Sequence, residues 1–275
     1  LKWLVIDTHC HLDSERFDAD RESVLERAWK AGVEAVVVPG VWPKNWDALV
    51  EFARTHSNVH VAAGIHPQFL PELAEADDDK HLDALRLRLE RGSVVAVGEC
   101  GLDGPSVAAG APMERQIRVL REHLRLAKTF KLPAMVHCFR AHPEMRELLE
   151  REGIPPAGLV IHSYSGSAEL VKIFAPMGCH FGLAGPVTYA KARKPLDSAR
   201  AIPADRLLLE TDAPDQAPTP HRGQRSEPSF LPLIAKAIAD ARGSSLTELV
   251  AQTNANARTL FGLPSAPVAK GVGFR

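Results

Sequence analysis

Two histidines stand at alternate positions in DTHCHLD, residues 7–13, directly after the apolar run LKWLVI. In an extended backbone, residues two apart point to the same side about 7 Å apart, so His9 and His11 can converge on one metal ion. On a helix the same spacing diverges. Further polar groups share this setting at the end of a short apolar run: His66 in GIHP, Glu99 in GECGLD, His137 in PAMVH, His162 in GLVIH, and Glu210 with Asp212 in LLLETDAP. Imidazole combined with carboxylate suits Zn, Mn, Fe and related ions better than Ca, and leaves positions open for water or substrate. His9, His11, His137, His162, Glu99 and Asp212 are enough ligands for two divalent ions if one carboxylate bridges, and such a pair can hold an attacking hydroxide and stabilise charge on a phosphoryl oxygen. With only Glu99 and Asp212 ionised, about two positive charges are left over, which favours an anionic substrate. Any one of these histidines alone would read more simply as a structural hydrogen-bonding residue. The whole set on one rim does not.

Bringing them to one rim is the task of the fold. Short runs rich in Val, Ile, Leu and Ala recur at 3–7, 34–40, 59–64, 93–98, 133–137, 158–162, 179–183 and 206–210, with helical periodicity between them at 23–32, 81–92, 113–130 and 168–178. Continuously apolar strands alternating with amphipathic helices predict a parallel sheet covered by helices. Eight such units predict an α/β chain folded as a single-domain (β/α)8 TIM barrel, amidohydrolase-like, in which every strand end named above lies on the carboxyl-terminal rim. A doubly wound sheet would carry a GxGxxG or P-loop turn, and the sequence has neither. The barrel is expected over 1–263, with 264–275, PSAPVAKGVGFR, as a flexible tail.

The bulk properties narrow the setting. Of the 275 residues 45% are hydrophobic and 24% charged, and the formal net charge is −1, which excludes a broad basic surface for long duplex DNA. No apolar stretch approaches the ~18–20 residues of a membrane span and the beginning of the chain lacks a secretory layout. A cytoplasmic protein with no membrane contact and no obligate protein partner is expected. Cys10, Cys100, Cys138 and Cys179 form no CxxC pair and read as reduced, mostly buried residues.

The ordered set DTHCHLD, GIHP, GECGLD, HCFRA, HSYSGS, LLLETDAP and NANARTLFGL resembles the TatD family of metal-dependent hydrolases from Leu4 to about Leu263. The resemblance implies a TIM barrel with a divalent-metal site and a metal-dependent DNase activity, often exonucleolytic. By position it implies that His9, His11 and Asp212 hold one ion and His137 and His162 the other, with Glu99 bridging. Asp212 would also accept the proton of the attacking water, Glu210 would orient a ligand histidine, and His66 would face the substrate without binding metal. Mg²⁺ or Mn²⁺ is expected in activity, with Zn²⁺ or a similar ion retained on purification. The expected substrate is DNA, single-stranded or at an end.

The chain departs from that pattern in places. Phe139 stands where the family commonly has arginine, with Arg140 one residue later, so Arg140 is the candidate phosphate contact. The segment HRGQRSEP carries His221, Arg222 and Arg225 and resembles the family's RGK-NEP, with Ser226 at the usual asparagine. Arg222 and Arg225 are candidate phosphate clamps or solvated loop residues. Gly104–Pro112 reads as small and flexible. His56, His60, His81, His123, His142 and His180 are assigned no chemistry. Two rival readings keep the barrel: hydrolysis of an ester or amide bond, as in amidohydrolases or a deacylase of mischarged tRNA, and a non-catalytic scaffold stiffened by metal.

Overall fold

The structure is a computed structural model and describes residues 4–264; the expected tail beyond Pro264 lies outside the described residues. Eight parallel strands follow one another round a barrel: β1 (Val5–Asp7), β2 (Val33–Gly40), β3 (Val59–Ala63), β4 (Ala96–Asp103), β5 (Ala134–Phe139), β6 (Leu159–Ile161), β7 (Cys179–Leu183) and β8 (Leu207–Leu209). Each pairs with the next in sequence. The first and last are joined just beyond their ends, where Thr8 N–H donates to Leu209 O (3.0 Å), Asp212 N–H to His9 O (2.9 Å) and His11 N–H to Ala213 O (2.7 Å). The outer layer is helical: α1 (Arg21–Ala31), α2 (Trp46–Thr55), α3 (Asp78–Glu90), α4 (Gly104–Ala108), α5 (Met113–Phe130), α6 (His142–Glu152), α7 (Ala168–Phe174), α8 (Arg193–Ala201), α9 (Leu231–Arg242) and α10 (Leu246–Phe261).

The apolar periodicity places the helices. On α5, Gln116, Val119, Leu120, His123, Leu124 and Ala127 form the buried stripe, the spacing of one helical face. Within it, His123 donates from Nδ1 to Val119 O and accepts Ile65 N–H at Nε2, a core histidine with both nitrogens satisfied. The start of α10 is set by a capping box of Ser245 and Glu248 and its end by Gly262, whose left-handed backbone suits glycine.

The barrel interior divides into two levels. Its lower level is apolar: Ile6, Val37, Ala62, Ala96, Met135, Val160 and Leu208 form one cluster with Ala257, Leu260, Phe261 and Leu263 of the closing segment. Asn254 on α10 fixes that plug, accepting Ile6 N–H and donating to Leu4 O, while Asn256 donates to the carbonyls of Ala204 and Leu207. The NANARTLFGL motif therefore closes the bottom of the barrel, and the polar groups are left the top.

Two expectations are corrected. Strand β4 runs five residues past the apolar run, through Asp103, so Glu99 lies inside the strand. Gly98 and Gly101, at φ +143° and +150°, make this possible, because a Cβ at either would collide with the backbone carbonyl of Met135 or His137 on β5. The segment after Asp103 begins with the helical turn α4, whose first turn is capped by the Asp103 side chain accepting Ser106 N–H at 2.8 Å.

Asn254→Ala leaves the Ile6 N–H and the Leu4 carbonyl without their partner at the bottom of the barrel. It is expected to lower stability by about 1–3 kcal/mol, read as a lower urea midpoint with an unchanged slope, and to leave metal content untouched.

Candidate metal centre

Glu99 is the centre of the upper level. Its side chain is 1% exposed, and its two oxygens face different histidines. Oε2 lies 3.2 Å from His9 Nε2 and 3.6 Å from His11 Nε2. Oε1 lies 2.6 Å from His162 Nε2, 2.9 Å from His66 Nε2 and 3.4 Å from His137 Nδ1. Asp212 Oδ1 stands 3.6 Å from both His9 and His11, whose Nε2 atoms are 3.2 Å apart, and His137 Nδ1 is 3.2 Å from His162 Nε2. Ligand atoms ~2.0–2.2 Å from one tetrahedral ion stand about 3.3–3.6 Å apart. The set around Oε2 has that spacing, and Glu99 Oε2 is buried with no hydrogen-bond partner, as befits an atom whose partner is a cation. The donor set fits a metal.

His66 differs from the others. Its Nδ1 accepts the Gln68 N–H at 3.1 Å, so its proton sits on Nε2 and is donated to Glu99. It touches the centre as a hydrogen-bond donor.

The charges agree with the geometry. Burial raises the carboxyl of Glu99, but the imidazoles of His162, His66 and His9 outweigh it and hold the group well below the usual range. Burial likewise raises Asp212, and His11 and its neighbours pull it down. His9 is lowered to about 4, chiefly by burial, and so stays in the unprotonated, metal-binding form. His11 and His137 are penalised by burial yet carried up to about 9, by Asp212 and Glu99 for the first and by Asp103 and Glu99 for the second.

Supporting side chains were less visible in the sequence. Asp103 accepts from His137 Nε2 (3.0 Å), Gln68 Nε2 (3.1 Å) and Ser106, which turns His137 Nδ1 towards Glu99. Gln216 donates to Asp212 Oδ2 and to Ser163 Oγ. Glu210 accepts Ser163 N–H and lies 3.7 Å from His162 Nδ1, close to the His9 and His162 rings, which stack at 3.8 Å. Gly182 on β7 makes this possible, since a Cβ there would overlap the Glu210 carboxyl. Asp7 binds no imidazole ring: it accepts Thr211 N–H (3.0 Å) and Thr211 Oγ–H (2.6 Å) and ties β1 to β8.

Two cavities meet at the centre. One, of about 490 Å³, is lined by Glu99, His137, His162, Asp212, Gln216, Phe139 and the apolar segment after β7. The other, of about 530 Å³, holds Arg16, Asn45 and Phe69 and shares His11, His66, Gln68 and Asp215 with the first. Arg140, Arg222 and Arg225 are not among the residues lining either cavity. The Arg140 guanidinium lies over the Phe139 ring and that of Arg222 over Tyr189. Arg225 is held by Asp20 and Glu227. All four cysteines are free and buried, and burial pushes the Cys138 thiol up to about 12, too high for a nucleophile. No described helix is long and apolar enough to cross a membrane.

An eight-stranded parallel barrel with histidines and carboxylates gathered at its carboxyl-terminal end has the architecture and donor set of a metal-dependent hydrolase. Residues 6–262 match the family model of the TatD related DNases, and the chain belongs to that family. It is 36% identical to the uncharacterized metal-dependent hydrolase YjjV of Escherichia coli over 94% of this chain and 98% of that one. It is 35% identical to the 3'-5' ssDNA/RNA exonuclease TatD of Erwinia amylovora over 94% of this chain and all of that one. The crystal structure of Escherichia coli YjjV superposes with a TM-score of 0.88 at 35% identity, covering 96% of this chain and 100% of the other.

Asp103→Asn, which weakens the acceptor behind His137, is expected to lower metal affinity about 10–100-fold while Asp103→Glu restores part of it, measured by competition with a chelating dye. Metal uptake should also release protons. His11 and His137, raised to about 9 without metal, are cations near neutral pH and must each lose a proton to bind, so affinity should rise towards alkaline pH and fall in acid. Titration calorimetry in buffers of different ionisation heat reads the released protons directly.

Proposed function

We propose that the protein is a divalent-metal-dependent phosphodiesterase that removes nucleotides from the ends of single-stranded DNA. The observation that carries this reading is the division of Glu99, with one oxygen facing His9 and His11 and the other facing His137 and His162. That division supports a site for two ions, in which His9, His11 and Asp212 would hold the first, His137 and His162 would hold the second, and Glu99 would serve both. Mg²⁺ or Mn²⁺ is the proposed working metal, and the histidine-rich set would retain Zn²⁺ on purification. When bound, the ions lower the pKa of water and stabilise charge on the phosphoryl oxygens.

The chain's own residues do the rest. Asp212 is ionised, faces the cavity and keeps one oxygen on Gln216, so its other oxygen, on the side of His9 and His11, can take the proton of an attacking water. His66 holds Glu99 from the substrate side. Arg16 lines the cavity that holds Asn45 and Phe69, is paired with Asp215 at 2.7 Å, and is the proposed contact for a flanking phosphate. A recessed cavity of this size accepts a strand end better than a duplex, and the near-neutral net charge fits a short contact. Relatives named as 3'-5' ssDNA/RNA exonucleases support removal from the 3' end.

A second reading, hydrolysis of a carboxylic ester or amide, is favoured by one observation. The cavity that holds Glu99 is lined by no arginine or lysine among the described residues.

Short single-stranded DNA labelled at its 5' end, incubated with Mg²⁺ or Mn²⁺, is expected to give a progressive ladder of shortened products that Glu99→Ala abolishes. Intact DNA beside turnover of a p-nitrophenyl ester would establish the second reading. Elemental analysis is expected to find one ion lost in His11→Ala and in Asp212→Ala, and both sites weakened in Glu99→Ala. Full occupancy in all three would sink the ligand assignment.

A further inference from the structure

We propose that Phe139 is a stacking platform for the base of the nucleotide being removed, so that the enzyme reads the presence of a base at the strand end. This deepens the nuclease reading and rests on it. Phe139 follows His137 by two residues on β5, so the two side chains point to the same side of the strand about 7 Å apart, a spacing on the order of one sugar between a phosphate at the metal cluster and its base. Phe139 is 37% exposed although it is apolar, and of the large exposed hydrophobic residues among those described it alone lines the cavity that holds Glu99.

The surroundings hold that ring and leave room beside it. Arg140, at φ +52°, turns its guanidinium over the ring, 5.2 Å from the centre, and Gly104, lacking a side chain, lets the Arg140 carbonyl come close, with a Cβ position only 2.9 Å away. The cavity wall contributed by the end of β7 and the residues after it is apolar, made of Leu183, Ala184, Pro186 and Val187. The nearby amides are already engaged, Gln68 with Asp103 and Gln216 with Asp212 and Ser163. The slot offers the Phe139 ring face and an apolar wall, and stacking of this kind accepts any base because every base has a π-face. An anionic group at the cluster joined to a flat apolar group in the slot is the chemistry of a nucleotide.

The test compares two single-stranded oligonucleotides that differ only at the end being removed, one with an ordinary nucleotide and one with an abasic tetrahydrofuran residue. On the ordinary end, Phe139→Ala is expected to raise KM about 5–100-fold with kcat within about two-fold, and Phe139→Trp to restore KM. On the abasic end the wild type and Phe139→Ala should have the same KM. A terminal 2-aminopurine should be quenched on binding the wild type and less so on binding Phe139→Ala. An equal rise on both ends, or no rise on either, overturns the platform while leaving the nuclease reading intact. A wild type that cleaves neither oligonucleotide overturns the nuclease reading and this inference with it.

Discussion

A single buried carboxylate sets the terms for the upper half of this barrel. Glu99 is almost fully removed from water and held ionised, a state that is strongly unfavourable unless opposite charge or donors surround it. Imidazoles supply that surround, and they arrive from four strands: His9 and His11 beyond β1, His66 beyond β3, His137 from β5 and His162 beyond β6. They come from so many strands because in a parallel barrel the strand ends are what converge. The same carboxylate dictates backbone features at a distance. Glycine at 98 and 101 lets β4 press against β5, carrying Glu99 inward and leaving Asp103 to hold His137 from behind.

Closure of the barrel and assembly of the centre are one event. The strands run in order round the sheet from β1 to β8, and the seam between the two ends is made by DTHCHLD against LLLETDAP. Backbone bonds from Thr8, His11 and Asp212 cross it, and Asp7 is buried against Thr211 on the far side. Burial pushes the Asp7 carboxyl up to about 7 despite those bonds, so its role is to tie the seam, beside histidines that hold the charge. Residues 7, 9 and 11 thus divide the work, with Asp7 fastening the strands and His9 and His11 turned to Glu99.

Much of this was legible in the sequence, for reasons that also mark where reading stopped. The strands announced themselves as apolar runs because both faces are covered, and the rim rule then placed His9, Glu99, His137, His162 and Asp212 together without any knowledge of contacts. The apolar run 93–98 ended too early because Glu99 and the glycines break the hydrophobic signal while the strand continues. Asp103 and Gln216 were missed because their partners are thirty or more residues away or on an irregular loop, and nothing local distinguishes such residues from turn formers. The GLD motif held the one available signal, an aspartate two residues beyond a glycine inside a strand. Arg225 could not be separated from a phosphate clamp by type or spacing, since only the fold reveals that Asp20 and Glu227 are its partners.

Those arginines clarify how a nearly neutral protein could handle a polyanion. If Arg140, Arg222 and Arg225 faced the cavity, attraction would be spread over flexible side chains and would depend steeply on salt. Here they lie over aromatic rings or pair with loop carboxylates, and a positive field would be concentrated where Glu99, Asp212 and the histidines would hold cations. A carboxylate-poor, imidazole-rich donor set is what allows this, because neutral ligands hold an ion without cancelling its charge. Attraction would then be strongest at the metal centre and weak elsewhere on the surface. Selection among anions must consequently come from the shape and apolar character of the walls, which are the features that distinguish the two cavities meeting at His11 and His66.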